Sequence, residues 1–175
     1  MQKASLREGI DFNEIFSPVV KHTNIRVILT LVAVHDLELE QMDVKMSFFT
    51  WSTRGKINMS QPKGYEVKGK EHMVCLLKKS LYGLKQSLRQ WYKRFDSLVI
   101  SNGHNSSSFD SCVYFKIESS GYFMYLLLYV DDMLIASGDV DAINKLKKLL
   151  NSEFEMKDSG VAKRILGMEI VRKTS

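Results

Sequence analysis

Two adjacent carboxylates, Asp131 and Asp132, stand between two apolar runs, and no other feature constrains the chain as much. Tyr122 to Leu128 is bulky, apolar and aromatic, and Met133 to Ala136 is apolar again. Such runs predict buried β-strands, with the acidic pair on the tight turn between them. Asp is a common turn residue, so a solvated hairpin turn is the plain alternative. Apolar flanks weigh against it, because burying an unpaired ionised carboxylate costs several kcal/mol. A divalent cation would justify the placement, since Asp oxygens suit Mg²⁺ held between carboxylates and substrate phosphates.

A chain of 175 residues can build one domain with a real core, and 45% apolar with 26% charged residues is ordinary for a globular protein. No run has the length of a membrane span and no signal peptide opens the chain, which predicts an intracellular location, cytoplasm or nucleus. Cys75 and Cys112 sit in apolar runs and are expected to be reduced core residues. The histidines, at 22, 35, 72 and 104, lack zinc-ligand spacing. Between Lys63 and Arg94, nine basic residues face two acids, a net of +7, interleaved with Tyr82, Trp91 and Tyr92. Such a stretch suits a phosphate backbone, with a solvated surface as the alternative.

In chain order, residues 1–23 predict an irregular arm. Thr23 is a candidate N-cap for a helix over 24–35 carrying Ile25, Ile28, Leu29, Val32 and Ala33 on one face. Leu37 to Val44 alternates like a strand, with Gln41 and Asp43 on one face and Asp43 near its end. Ile57–Met59 and Met73–Leu77 predict short strands, a candidate pair. Ser87 with Gln90 forms a candidate capping box, and Leu88, Trp91, Tyr92, Phe95, Leu98 and Val99 make a core-facing helical stripe ending at Gly103. Cys112–Ile117 and the two strands around Asp131 predict a meander. Asp139 is expected to cap a third helix whose Lys145, Lys147 and Lys148 complement its dipole. Gly160 is expected to break the chain before a last strand, Ile165–Val171, interrupted by Gly167.

These pieces together resemble a known family. Gln41-Met42-Asp43-Val44-Lys45, then Ser80-Leu81-Tyr82-Gly83-Leu84-Lys85-Gln86-Ser87 with Arg89-Gln90-Trp91-Tyr92, then Tyr129-Val130-Asp131-Asp132, are similar to the reverse transcriptase of copia-type LTR retrotransposons. Phe16-Ser17-Pro18-Val19-Val20 and Leu166-Gly167-Met168-Glu169-Ile170 fit the same pattern, in the same order. The resemblance implies an α+β fold, a polymerase palm with an antiparallel sheet backed by helices. It implies a reverse transcriptase palm with partial fingers over 1–175, a missing N-terminal finger strand, and no thumb or ribonuclease H region.

The implied activity is RNA-directed DNA polymerisation, adding dNTPs to the 3′-hydroxyl of a primer on an RNA or DNA template. Asp43, Asp131 and Asp132 are the implied catalytic set, holding two Mg²⁺ ions (Mn²⁺ a substitute) roughly 4 Å apart, with the Val44 backbone as a further ligand. Phe48, Tyr82, Gly83 and Lys85 are implied at the nucleotide. Arg89, Lys78, Lys79 and the primer-grip residues Leu166, Gly167 and Met168 are implied on nucleic acid. Partners are the template, the dNTPs and the rest of the retroelement polyprotein, with no membrane. Departures stand at Thr50-Trp51-Ser52-Thr53-Arg54-Gly55-Lys56, where the family has His-Gly and an acidic run, and at Leu88 and Val161, where it favours proline. The alternative is a catalytically inactive remnant that keeps the palm fold and nucleic-acid binding. A third class, another two-metal enzyme such as a nucleotide cyclase, is disfavoured by the Ser80–Tyr92 motif.

Overall fold

The apolar runs on either side of Asp131 are strands of one antiparallel sheet. The computed structural model describes residues 17–45, 58–78 and 85–172, except the side chains of 85 and 86. The chain divides into two compact units, one of residues 1–17 and 46–91 and one of residues 18–45 and 92–175. In the first unit, β2 (Asn58–Ser60) and β3 (Val74–Leu76) form a two-stranded antiparallel ribbon, as expected from sequence. Cys75 on β3 is only half-buried, so it is not the core residue predicted, whereas Cys112 is buried. A three-residue ribbon cannot enclose its own side chains, which is why Val74 and Leu76 are exposed too.

The second unit holds α1 (His22–His35), β1 (Glu38–Val44), β4 (Asn105–Ser107), β5 (Asp110–Ile117), β6 (Phe123–Tyr129), β7 (Asp132–Ser137), α3 (Val140–Glu153), β8 (Met156–Val161), β9 (Arg164–Ile165) and β10 (Met168–Glu169). Between β3 and β4, α2 (Lys85–Ser101) crosses from the first unit into the second. Six strands make the main sheet in the order β4-β5-β6-β7-β1-β8, antiparallel throughout. The fold is therefore α+β, with helices packed on an antiparallel sheet.

Register assigns the faces. Tyr114, Leu126, Ile135 and Glu40 are cross-strand neighbours in one row and share a face. The helices α2 and α3 lie on that face. The Phe95 ring meets Tyr114 edge-on at 5.8 Å between centroids, and the Tyr114 hydroxyl donates to Asp96 at 3.0 Å. Burial first, then Tyr92 and Asp96, drives the Tyr114 phenol far above its usual range. The helical stripe is seated as expected, with Trp91, Tyr92, Phe95 and Val99 buried.

Several expectations are corrected. Helix α1 begins at His22, so Thr23 lies inside it and is not its cap. Its start is held from another strand. The Asp110 carboxylate accepts from the Lys21 backbone N–H at 2.9 Å and from Asn24 Nδ2 at 2.6 Å. A tertiary acceptor thus ties down the helix start, where the sequence predicted a local cap. Ser87 is also within a helix, the third residue of α2 and buried, so the capping box is not formed. Asp139 does cap α3, accepting from the Ala142 N–H at 3.0 Å.

Lys147 does not serve the α3 dipole. It is buried and ion-paired with Glu40 on β1 and with Asp158 on β8, the latter at 2.8 Å. Burial acts to lower its pKa, but the hydrogen bonds to Asp158 and Glu40 outweigh burial and raise it. Gly160 does not break the chain. It lies inside β8, where the pairing with β1 skips Ser159 between Gly160 and Asp158, a bulge that suits the positive φ of Gly160. The last predicted strand is two short strands, β9 and β10, joined by Leu166-Gly167 in a tight hairpin.

Removing one member of a buried ion pair strands the other in a poorly solvated site. Lys147→Ala is expected to lower stability by about 3 kcal/mol, through loss of the link between α3, β1 and β8. Urea unfolding of the variant beside wild type measures this. A change within about 0.5 kcal/mol, the range of an ordinary surface substitution, would make the triad energetically unimportant.

Candidate active site

Strand β1 pairs with β7 so that Asp43 stands directly opposite Asp132, and β7 pairs with β6 so that Asp132 stands opposite Tyr129. On its other side Asp43 faces Lys157 of β8. Directly opposed residues of antiparallel strands project to the same face, so Tyr129, Asp132, Asp43 and Lys157 form one line across four strands. Asp132 is three residues from Ile135, and Asp43 is three from Glu40. With a side-chain period of two, the carboxylates therefore lie on the face opposite α2 and α3.

Asp131 occupies the two-residue turn between β6 and β7, after Val130. Val130 has φ 54°, a left-handed conformation that a β-branched residue adopts only under strain. The turn is tied back to β1, because the Val44 N–H donates to the Asp131 carbonyl at 3.0 Å. The end of β1 and the acidic turn are thus hydrogen-bonded at the backbone as well as aligned in register.

The three carboxylates have different surroundings. Asp132 accepts a hydrogen bond from Gln41 Nε2 at 3.2 Å. Asp131 has one oxygen, Oδ1, buried with no hydrogen-bond donor among the described residues. Burial first, then the charges of Asp43 and Asp132, push the Asp131 carboxyl up to about 6. Crowded like charges and an unpaired buried oxygen fit a cation, whose bonds would replace the missing donors. Among the described residues, no three His, Cys, Asp or Glu side chains are already gathered as a ligand cluster.

The expected site residues divide by location. Phe48, Lys79, Tyr82 and Gly83 lie outside the described residues, as do the Lys85 side chain and the 50–56 segment. In the first unit Lys78 is exposed and Arg89 half-buried on α2. Leu166 and Gly167 form the β9–β10 turn, both with positive φ, and Met168 opens β10. Gln41 joins the carboxylate face as the alternation of its strand predicts, and Lys157 joins it without having been singled out from sequence. Gln41 had a signal, its place two residues before Asp43 on an alternating strand. Lys157 had none, since β8 was not foreseen.

The family model for reverse transcriptase (RNA-dependent DNA polymerase) matches residues 2–175. The chain belongs to the reverse transcriptase family. Its relatives are of the copia type. It is 57% identical over 167 residues to the retrovirus-related Pol polyprotein from transposon TNT 1-94 of Nicotiana tabacum, covering 95% of this chain and 13% of that protein. It is 34% and 33% identical over 166 residues to the Pol polyproteins from transposons RE1 and RE2 of Arabidopsis thaliana, each time covering 95% of this chain and 11% of the relative. The chain thus spans a small part of the polyproteins it matches. No solved structure matches significantly. Among the described residues no helix is long and apolar enough to cross a membrane.

In a reverse transcriptase, the raised Asp131 pKa has a consequence for stability. Its folded value lies above the unfolded one, so its contribution is fully present below about pH 4 and is lost as pH rises through about 6. Metal-free Asp131→Asn should therefore melt higher than wild type at pH 8, with the gain shrinking or vanishing at pH 4. Melting curves in chelator at the two pH values test this. An equal difference at both would show that the Asp131 charge is not destabilising.

Proposed function

We propose that this chain carries the nucleotidyl-transfer centre of a copia-type reverse transcriptase, joining dNTPs to a primer 3′-hydroxyl on an RNA or DNA template. The observation that supports this most is the cross-strand row that puts Asp43 and Asp132 on one face, beside the buried, unpaired oxygen of Asp131. Asp43, Asp131 and Asp132, with the Val44 backbone, would hold two Mg²⁺ ions, or Mn²⁺ in their place. When bound, the metals supply Lewis-acid polarisation of the attacking hydroxyl and stabilise charge on the leaving pyrophosphate.

The chain's own groups position and neutralise. Lys157, opposite Asp43 and exposed, presents a cation to substrate phosphates at the end of the carboxylate row. Phe48, Tyr82, Gly83 and Lys85 form the nucleotide site. Arg89, Lys78 and Lys79 contact backbone phosphate, fixing position rather than reading sequence. Leu166, Gly167 and Met168 grip the primer, where a turn with Gly lets backbone approach closely. In the intact element, the remainder of the polyprotein completes the enzyme.

Primer extension on an RNA template with Mg²⁺ or Mn²⁺ tests the centre. Phosphoryl transfer depends on positioning, and a small misplacement costs about a hundredfold in rate. Extension by these 175 residues alone should therefore be slow and distributive, and Asp131→Asn should abolish it. Slow extension that survives Asp131→Asn would remove that residue from the centre. Binding without any extension, even after upstream finger and downstream thumb segments of a complete relative are joined on, would favour the inactive remnant.

Nucleic-acid affinity should fall steeply with salt, because each phosphate contact releases a counterion. Replacing Lys85 and Arg89 together by Ala should weaken binding to all sequences alike and lower the magnitude of the log–log salt slope by about 2. Fluorescence anisotropy over a salt series measures both. An unchanged slope would return the basic stretch to a solvated surface.

A further inference from the structure

The three carboxylates need different things from the protein, and one neutral side chain distinguishes them. Gln41 lies on β1 opposite Leu134, so it shares a face with Asp43 and with Asp132, its diagonal neighbour on β7. Diagonal neighbours stand about 7–8 Å apart at Cα, beyond a short side chain but within reach of a glutamine. Its Nε2 donates to Asp132 Oδ1 at 3.2 Å. A single strand thus supplies one carboxylate of the site, Asp43, and the amide that holds a second, Asp132.

We infer that Gln41 is a positioning residue for metal binding, fixing the Asp132 carboxylate so that its other oxygen is presented toward Asp43 and the Asp131 turn. This rests on the metal reading of the three carboxylates given above. The chemistry requires a neutral donor. A lysine or arginine here would pair with Asp132 as an ion and compete with the metal. A leucine would leave the carboxylate free to rotate away from its like-charged neighbours. An amide donates a hydrogen bond to the Asp132 carboxylate while adding no charge to the site. Partners that orient a metal-binding carboxylate typically account for 10- to 100-fold in metal affinity.

Mn²⁺ binding to the nucleic-acid-free chain, followed by calorimetry and by the electron spin resonance of free ion, tests this without requiring polymerisation. Gln41→Leu removes the donor, and Gln41→Asn withdraws it by one methylene. Both should weaken Mn²⁺ binding roughly tenfold, while their melting temperatures in chelator stay near that of wild type. In wild-type protein, Mn²⁺ should broaden the Gln41 side-chain amide signals ahead of the other side-chain amides. That measurement decides the matter even if a variant fails to fold.

Two results would overturn the assignment of Gln41: both variants binding Mn²⁺ as wild type does while Asp131→Asn does not, or Gln41 amide signals that Mn²⁺ leaves sharp while binding is saturated. Wild type and Asp131→Asn binding Mn²⁺ equally would instead overturn the metal reading itself, and the role of Gln41 with it.

Discussion

The register between β1 and β7 is the constraint on which the rest depends. Asp43 faces Asp132 only because Met42 faces Met133 and Glu40 faces Ile135 in the same pairing. A slip of β1 by one residue would turn the fully buried Met42 toward the carboxylate face and send Asp43 toward the helix-covered core. Burial of Met42 and Met133 on the helix-covered face thus helps to align Asp43 with Asp132 on the other. Each buried methionine contributes roughly 2 kcal/mol of transfer free energy, more than the exposed end of the strand could lose by like-charge repulsion in water.

That alignment is reinforced from three directions. The Val44–Asp131 backbone bond fastens the end of β1 to the acidic turn. The Lys147 triad draws α3 onto β1 and β8 from the opposite face. Asp110, on a strand two places from β7, anchors the first turn of α1. Against this rigid frame stand two local sources of free energy cost, the left-handed Val130 and the crowded Asp131. Strain and unpaired charge gathered at one turn are typical of a site whose stabilising partner is a ligand. A protein optimised for stability alone would place Gly at 130 and Asn at 131.

Much of this was legible in the sequence where the signal is local. The apolar runs around Asp131 predicted β6 and β7, the 3.6-residue stripe predicted the buried face of α2, and Asp139 was legible as the cap of α3 because donor and acceptor lie within one turn. The failures share a cause. Thr23 and Ser87 have the side chains of caps, but the start of α1 is tied down by Asp110, some ninety residues away, and α2 has already begun before Ser87. Strand β8, Met-Lys-Asp-Ser-Gly-Val, is a mostly exposed edge with no apolar alternation, so it carries no pattern of its own and exists as a strand because β1 offers unpaired backbone beside it.

The sequence by itself determined the family and the α+β class and singled out Asp43, Asp131 and Asp132, because motifs and periodicities are properties of neighbouring residues. Tertiary structure alone decided what stands beside those acids. Lys157 opposite Asp43, the Gln41 amide on Asp132, Lys147 turned to the sheet and the unpaired oxygen of Asp131 all follow from which strand lies next to which, and at what register. Strand pairing is set by burial summed over the whole sheet, and no short stretch of chain contains that sum.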